Sequence, residues 1–78
     1  MEDQTVIDTI DGIHTTTNPQ GTGWANQSNG IVLTTHRDKS TALAEARLLA
    51  KRHGAKLTIH RRDGTVVRTQ SYAMSPIV

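Results

Sequence analysis

At seventy-eight residues the chain can hold no more than one domain with a small core. It has no Phe, one Trp and one Tyr, so Leu, Ile, Val and Ala must supply the buried surface; it has no Cys, which excludes disulfides and thiolate metal ligands and suits a cytoplasmic setting. The net charge of +2 conceals a division: residues 1–36 carry Glu2, Asp3, Asp8 and Asp11 with no Lys or Arg, a charge of −4, whereas residues 37–78 hold all nine Lys and Arg against Asp38, Glu45 and Asp63, a charge of +6.

Met1 to Asp11 is acidic, with Val6, Ile7 and Ile10 embedded, and it lacks the basic start and apolar core of a signal peptide. With Gly12, which breaks the run, it reads as an arm over 1–12, either a loose tail or an added strand. A single folded unit follows over 13–72. Ile13 to Thr17 reads as a first strand, stopped by Asn18-Pro19. A glycine-bearing loop leads to a second strand, Trp24 to Gln27, and a third, Ile31 to Thr35. Asn29-Gly30 between them predicts a two-residue hairpin turn. That register sets Trp24 opposite Thr35 and Asn26 opposite Leu33, with Trp24, Ile31 and Leu33 on one face.

Asp38 predicts a helix N-cap, because its carboxylate can accept from the unpaired amides of the first turn. The helix should run from Lys39 to His53. At about 100° per residue, Ala42, Leu43, Ala46, Leu49, Ala50 and His53 share one stripe, and alanines there let a helix lie close on a sheet. Gly54 is placed to end it. Leu57 and Ile59 then alternate with Lys56, Thr58 and His60, and Val66, Val67 and Thr69 form a second β-prone run around Asp63-Gly64. A three-residue loop, Arg62-Asp63-Gly64, sets Ile59 opposite Val67 and Leu57 opposite Thr69. A two-residue loop sets them opposite Arg68 and Gln70. The better apolar match predicts the former, with Gly64 at positive φ in the turn. Residues 73–78 form a tail whose Pro76 cannot extend a central strand. No apolar run approaches the ~20 residues of a membrane span. The order β-β-β-α-β-β predicts an α+β domain, one antiparallel sheet packed on one side by one helix.

Gly23-Trp24, the Ala42-Leu43-x-x-Ala46-Arg47 helix, Leu57-x-Ile59-His60-x-x-Asp63-Gly64, Ser71-Tyr72 and Pro76 together resemble the small bacterial and phage family catalogued as domain of unknown function twenty-one eighty-eight. The resemblance covers roughly residues 13–76. This chain departs from the family's pattern in lacking the basic position soon after the Trp and in carrying Ala73 after Ser71-Tyr72. The family has no established activity, so the resemblance implies a fold and leaves function open. A weaker likeness, a Trp strand followed by a helix opening with paired alanines, is similar to AP2-like and integrase arm-binding domains, and implies a sheet that lies on DNA only at the level of fold.

Four histidines, His14, His36, His53 and His60, lack the i, i+4 or His-x-His spacing that marks a metal site, so no metal is expected. No nucleophile elbow, phosphate loop or carboxylate pair is evident in the folded unit, and neither an enzyme nor a cofactor is expected. Trp24 can anchor the core or stack on a base. The basic set carries the most specific expectation. Arg37 and Lys39 precede or open the helix, Arg47, Lys51 and Arg52 lie along it, and Arg61, Arg62 and Arg68 come from the hairpin. If these meet on one side they can track the phosphates of DNA or RNA, and otherwise they are a solvated surface. The alternative partner is a protein, either a host protein or a second copy in a homodimer, met through Val6, Ile7, Ile10, Ala44 and Leu48.

Overall fold

The computed structural model describes residues 12–72, so Val6, Ile7, Ile10 and the 73–78 tail lie outside the described residues. The elements are β1 (Gly12–Thr17), β2 (Trp24–Ser28), β3 (Ile31–His36), α1 (Lys39–His53), β4 (Lys56–His60) and β5 (Val66–Ser71). They build a five-stranded sheet in the order β3-β2-β1-β4-β5. The α+β class and the single helix agree with expectation, but the sheet is mixed. β1 and β4 run parallel, with Ile13 beside Leu57 and Thr15 beside Ile59. Helix length is the cause. Fifteen residues rise about 22 Å, which carries the chain once across the sheet, so β4 starts at the end where β1 starts and runs the same way.

Asp38 caps α1 as expected, its carboxylate accepting from the Thr41 amide at 3.0 Å and from the Thr41 hydroxyl at 2.7 Å. Gly54 ends it in the left-handed region, φ 61°. Ala42, Ala46 and Ala50 are fully buried, and Leu43 and Leu49 pack at the core's margin. His53 departs from expectation: it is exposed, because the helix is ending and the stripe has turned off the sheet. The apolar core gathers Ile13, Leu57 and Ile59 of the central strands with Ala46, Ala50 and Ala55. Tyr72 packs on it, and its amide donates to the Ala55 carbonyl at 3.0 Å.

Both hairpin turns form as the residues predict, and both predicted registers fail beyond the turn. Asn29 and Gly30 take φ of 53° and 79° in a two-residue turn between Ser28 and Ile31. One pair further on, a β-bulge leaves Leu33 unmatched, so Asn26 faces Thr34 and Trp24 faces His36. The Thr34 hydroxyl thereby meets the Asn26 amide at 3.1 Å, a polar match that the apolar count misses. At the other hairpin, Gly64 (φ 94°) donates to the Arg61 carbonyl and Arg61 to the Thr65 carbonyl, which closes the three-residue loop. His60 pairs with Val66, but a bulge at Val67 then sets Ile59 opposite Arg68 and Leu57 opposite Gln70. The apolar argument fails here because α1 packs on β1 to β4 and does not reach β5. Among the described residues no second layer covers Val66 and Val67, which are 51% and 45% exposed.

Candidate nucleic-acid interface

Trp24 opens β2 at the end of the sheet where β1, β3 and β4 finish and α1 begins. The residue is 5% exposed. It is a core residue and offers no open face for a base to stack on. What covers it is cationic. Lys39, the first residue of α1, sets Nζ 4.8 Å from the ring centroid, and Arg62, at the β4–β5 turn, sets its guanidinium carbon 5.7 Å away. Each such contact contributes roughly 0.5–1 kcal/mol near the surface. One aromatic ring therefore joins the helix start to the hairpin tip and holds two positive charges together. Arg37 flanks the same end, and Arg61 is tied along its hairpin, Nη1 donating to the Thr65 hydroxyl at 3.2 Å and the Val66 carbonyl at 3.4 Å.

The neighbouring acids are already engaged. Asp38 has its carboxyl held below the usual range by the Thr41 hydroxyl first, then by the Thr41 amide and Ser40. Asp63 is lowered by the Thr65 amide and hydroxyl, at 3.0 and 2.7 Å. Residues 12–72 thus present nine Lys and Arg against Asp38, Glu45 and Asp63.

The eight predicted cations do not form one group. Arg37, Lys39, Arg61 and Arg62 share the Trp24 end. Lys51 and Arg52 lie in the last turn of α1, about 18 Å further along the helix axis at 1.5 Å per residue. Arg47 is exposed between them, and Arg68 is exposed on the β5 edge. Ala44 and Leu48 point outward as expected, Leu48 being 56% exposed. Among the described residues no helix is long and apolar enough to cross a membrane.

Sequence reasoning missed a buried network and a histidine pair. Asn26, fully buried, donates through Nδ2 to the Ala42 carbonyl at 2.9 Å and to the Thr34 hydroxyl, while its Oδ1 accepts from the Thr15 hydroxyl at 2.7 Å. His36 Nε2 meets Thr34 Oγ1 at 2.9 Å. On the face of the sheet away from α1, His14 Nδ1 lies 3.0 Å from His60 Nε2, and His60 Nδ1 lies 3.1 Å from the Gly64 carbonyl. Partial burial and the neighbouring His60 push His14 below its ordinary value. Linear spacing could not reveal this pair, since only the parallel β1–β4 ladder brings the two rings together.

These features define a one-helix module on a mixed sheet, with a basic end organised by a buried Trp. The chain belongs to the DUF2188 family, described as an uncharacterized protein conserved in bacteria, whose profile matches residues 13–72. No curated protein and no solved structure matches the chain.

Proposed function

We propose that this domain is a non-catalytic module that binds nucleic acid, DNA foremost, through its Trp24 end. One observation carries the reading: Lys39 and Arg62, twenty-three positions apart in the chain, lie over a single indole ring. Side chains this long would otherwise lose rotamer freedom on meeting phosphates, and the ring orders them beforehand. Arg37 and Arg61 widen the patch on either side. Such a surface contacts backbone phosphates without reading sequence, and its binding weakens steeply with salt through counterion release.

The test is a gel shift with plain duplex and single-stranded DNA between about 50 and about 200 mM salt. Four phosphate contacts give a log–log salt slope of about −3 to −4 on duplex. Lys39→Ala with Arg61→Ala and Arg62→Ala should flatten that slope by about 2 to 3, while Lys51→Ala with Arg52→Ala should change it less. The absence of any shift at low salt with micromolar protein ends this reading.

The second reading, a protein partner or a homodimer, draws on exposed Leu48, Ile31, Val66 and Val67. Ile31, Val66 and Val67 belong to edge strands, and both edges carry bulges, which discourage strand-to-strand addition. Light scattering at several concentrations separates the two readings: a dimer mass indifferent to salt favours this one.

A further inference from the structure

The open face of the sheet carries a feature that phosphate binding does not use. We propose that His14 and His60 form a site for a borderline divalent transition-metal ion, copper(II), nickel(II) or zinc(II). The inference is independent of the nucleic-acid reading.

Separation is the first argument. His14 Nδ1 and His60 Nε2 are 3.0 Å apart. Two nitrogens each about 2.0–2.1 Å from one ion are about 3 Å apart when they subtend a right angle and about 3.4 Å apart at the tetrahedral angle. The two nitrogens face each other nearly end to end, with ring centroids 5.2 Å apart, as hydrogen-bonded rings do; each ring swings by about 20°, and the nitrogens part by a few tenths of an ångström, for both lone pairs to converge on one tetrahedral ion. The second argument is orientation. The Gly64 carbonyl, 3.1 Å from His60 Nδ1, accepts the proton of that nitrogen and leaves the Nε2 lone pair directed toward His14. A backbone carbonyl on the distal nitrogen is what fixes the tautomer and raises the basicity of a metal-binding imidazole. The third is room. The pair borders an open concavity of about 460 Å³, lined also by Thr16, Gln27 and Asn29, which accommodates the waters that complete the shell. Among the described residues no group of three or more His, Asp or Glu gathers around one point, so those residues offer two imidazoles and leave the remaining positions to water.

Without metal, the His14 Nδ1 proton occupies the space between the rings. On binding, that nitrogen gives up its proton and Nε2 of the same ring carries one instead. Two neutral imidazoles therefore bind with no net proton release. Imidazole donors suit these ions, copper(II) most strongly, and do not suit magnesium or calcium, which take oxygen ligands.

Titration of the full chain with nickel(II), copper(II), zinc(II) and magnesium salts, followed by calorimetry and by the imidazole NMR signals, tests the site. One equivalent of copper or nickel should bind, broadening the His14 and His60 ring signals before those of His36 and His53. His14→Ala and His60→Ala should each weaken binding more than about ten-fold. His53→Ala should leave it unchanged, and magnesium should not bind. Affinity equal to wild type in His14→Ala, or first broadening at another histidine or at the N-terminal amine, overturns the proposal. Should His60→Ala fail to fold, the order of broadening in the wild type still decides, because it needs no variant.

Discussion

Under its later turns α1 rests Ala46 and Ala50 on Ile13, Leu57 and Ile59; at its start the Ala42 carbonyl rests on the amide of Asn26. The first contact is dry and non-directional, and its strength follows the apolar area removed from water. The second is a set of aimed hydrogen bonds among β1, β2, β3 and the helix, and only one arrangement satisfies them together. The apolar half gives the domain most of its stability. The polar half fixes how the helix start sits over the sheet, and therefore where Lys39 stands relative to Trp24 and Arg62. A basic end built this way depends on the less stabilising half of the interface.

Breaking the apolar half should have the largest effect. Leu57→Ala removes a fully buried side chain from the central strand pair and should cost about 2–5 kcal/mol. A core this small rarely supplies more than about 3–5 kcal/mol of net stability. A urea melt should find much of the variant unfolded without denaturant. A loss below about 1 kcal/mol would mean that the core collapses around the gap more readily than close packing allows.

Gly23→Ala tests the polar end through the backbone. Gly23 has φ 86°, and an added Cβ would sit 2.3 Å from the His36 carbonyl oxygen, a main-chain atom that can move only if β3 moves. The cost should exceed the about 1–2 kcal/mol of a left-handed Cβ alone. Gly30→Ala, also at positive φ but with nothing within 4 Å of its Cβ, should show that smaller cost by itself. Equal melting shifts for the two variants would remove the close approach as a constraint.

Asn26→Ala strips the network's centre and leaves the Thr15 hydroxyl and the Ala42 carbonyl short of a partner, for a loss of about 1–3 kcal/mol. Thr15→Val in the same background sharpens the comparison. The double variant should lose less than the sum of the single ones, because the Thr15 hydroxyl has little to lose once Asn26 is gone. In Leu57→Ala, on the dry half, the same Thr15→Val change should simply add.

The two halves also differ in how far the residues announce them. The helix bounds, the Asp38 cap and the alanine stripe follow from local rules, each written in neighbouring residues. Asp63-Gly64 and Asn29-Gly30 announce their turns for the same reason. The bulges at Leu33 and Val67 do not, because each answers to a distant element: Thr34 turns toward Asn26, and β5 lies beyond the reach of α1. The mixed sheet was legible only in part, since choosing a parallel partner for β4 requires knowing where a helix of that length delivers the chain. The residue types were plain, but the division of the eight cations, four at the Trp24 end, two at the helix end, and Arg47 and Arg68 apart from both, depends on tertiary structure. Trp24 read as either a core anchor or a ring for a base to stack on, and nothing local in the sequence joins it to Lys39 and Arg62.

The smallest effect expected is in the acid titration, where each half is closed by one carboxylate. Asp38 caps the helix start above the polar half, and Asp63 holds the turn that follows β4 of the apolar half. Both are lowered from an ordinary 3.8 by hydrogen bonds that favour the charged form. The unfolded chain therefore binds these protons more readily than the folded one. Stability contributed by the two groups is complete above their unfolded value and is lost as pH falls below it toward their folded values. Melting temperature should thus decline from about pH 5 downward, less steeply in Asp38→Ala and in Asp63→Ala than in wild type, and least steeply in the double variant. Both carboxylates are exposed, so water and salt screen them and the change of slope should be modest. If Asp63→Ala flattens the decline while Asp38→Ala does not, acid sensitivity belongs to the hairpin turn. The helix start would then be held by the Asn26 network rather than by its cap, and at low pH Lys39 should keep its place while Arg61 and Arg62, carried on the weakened turn, lose theirs.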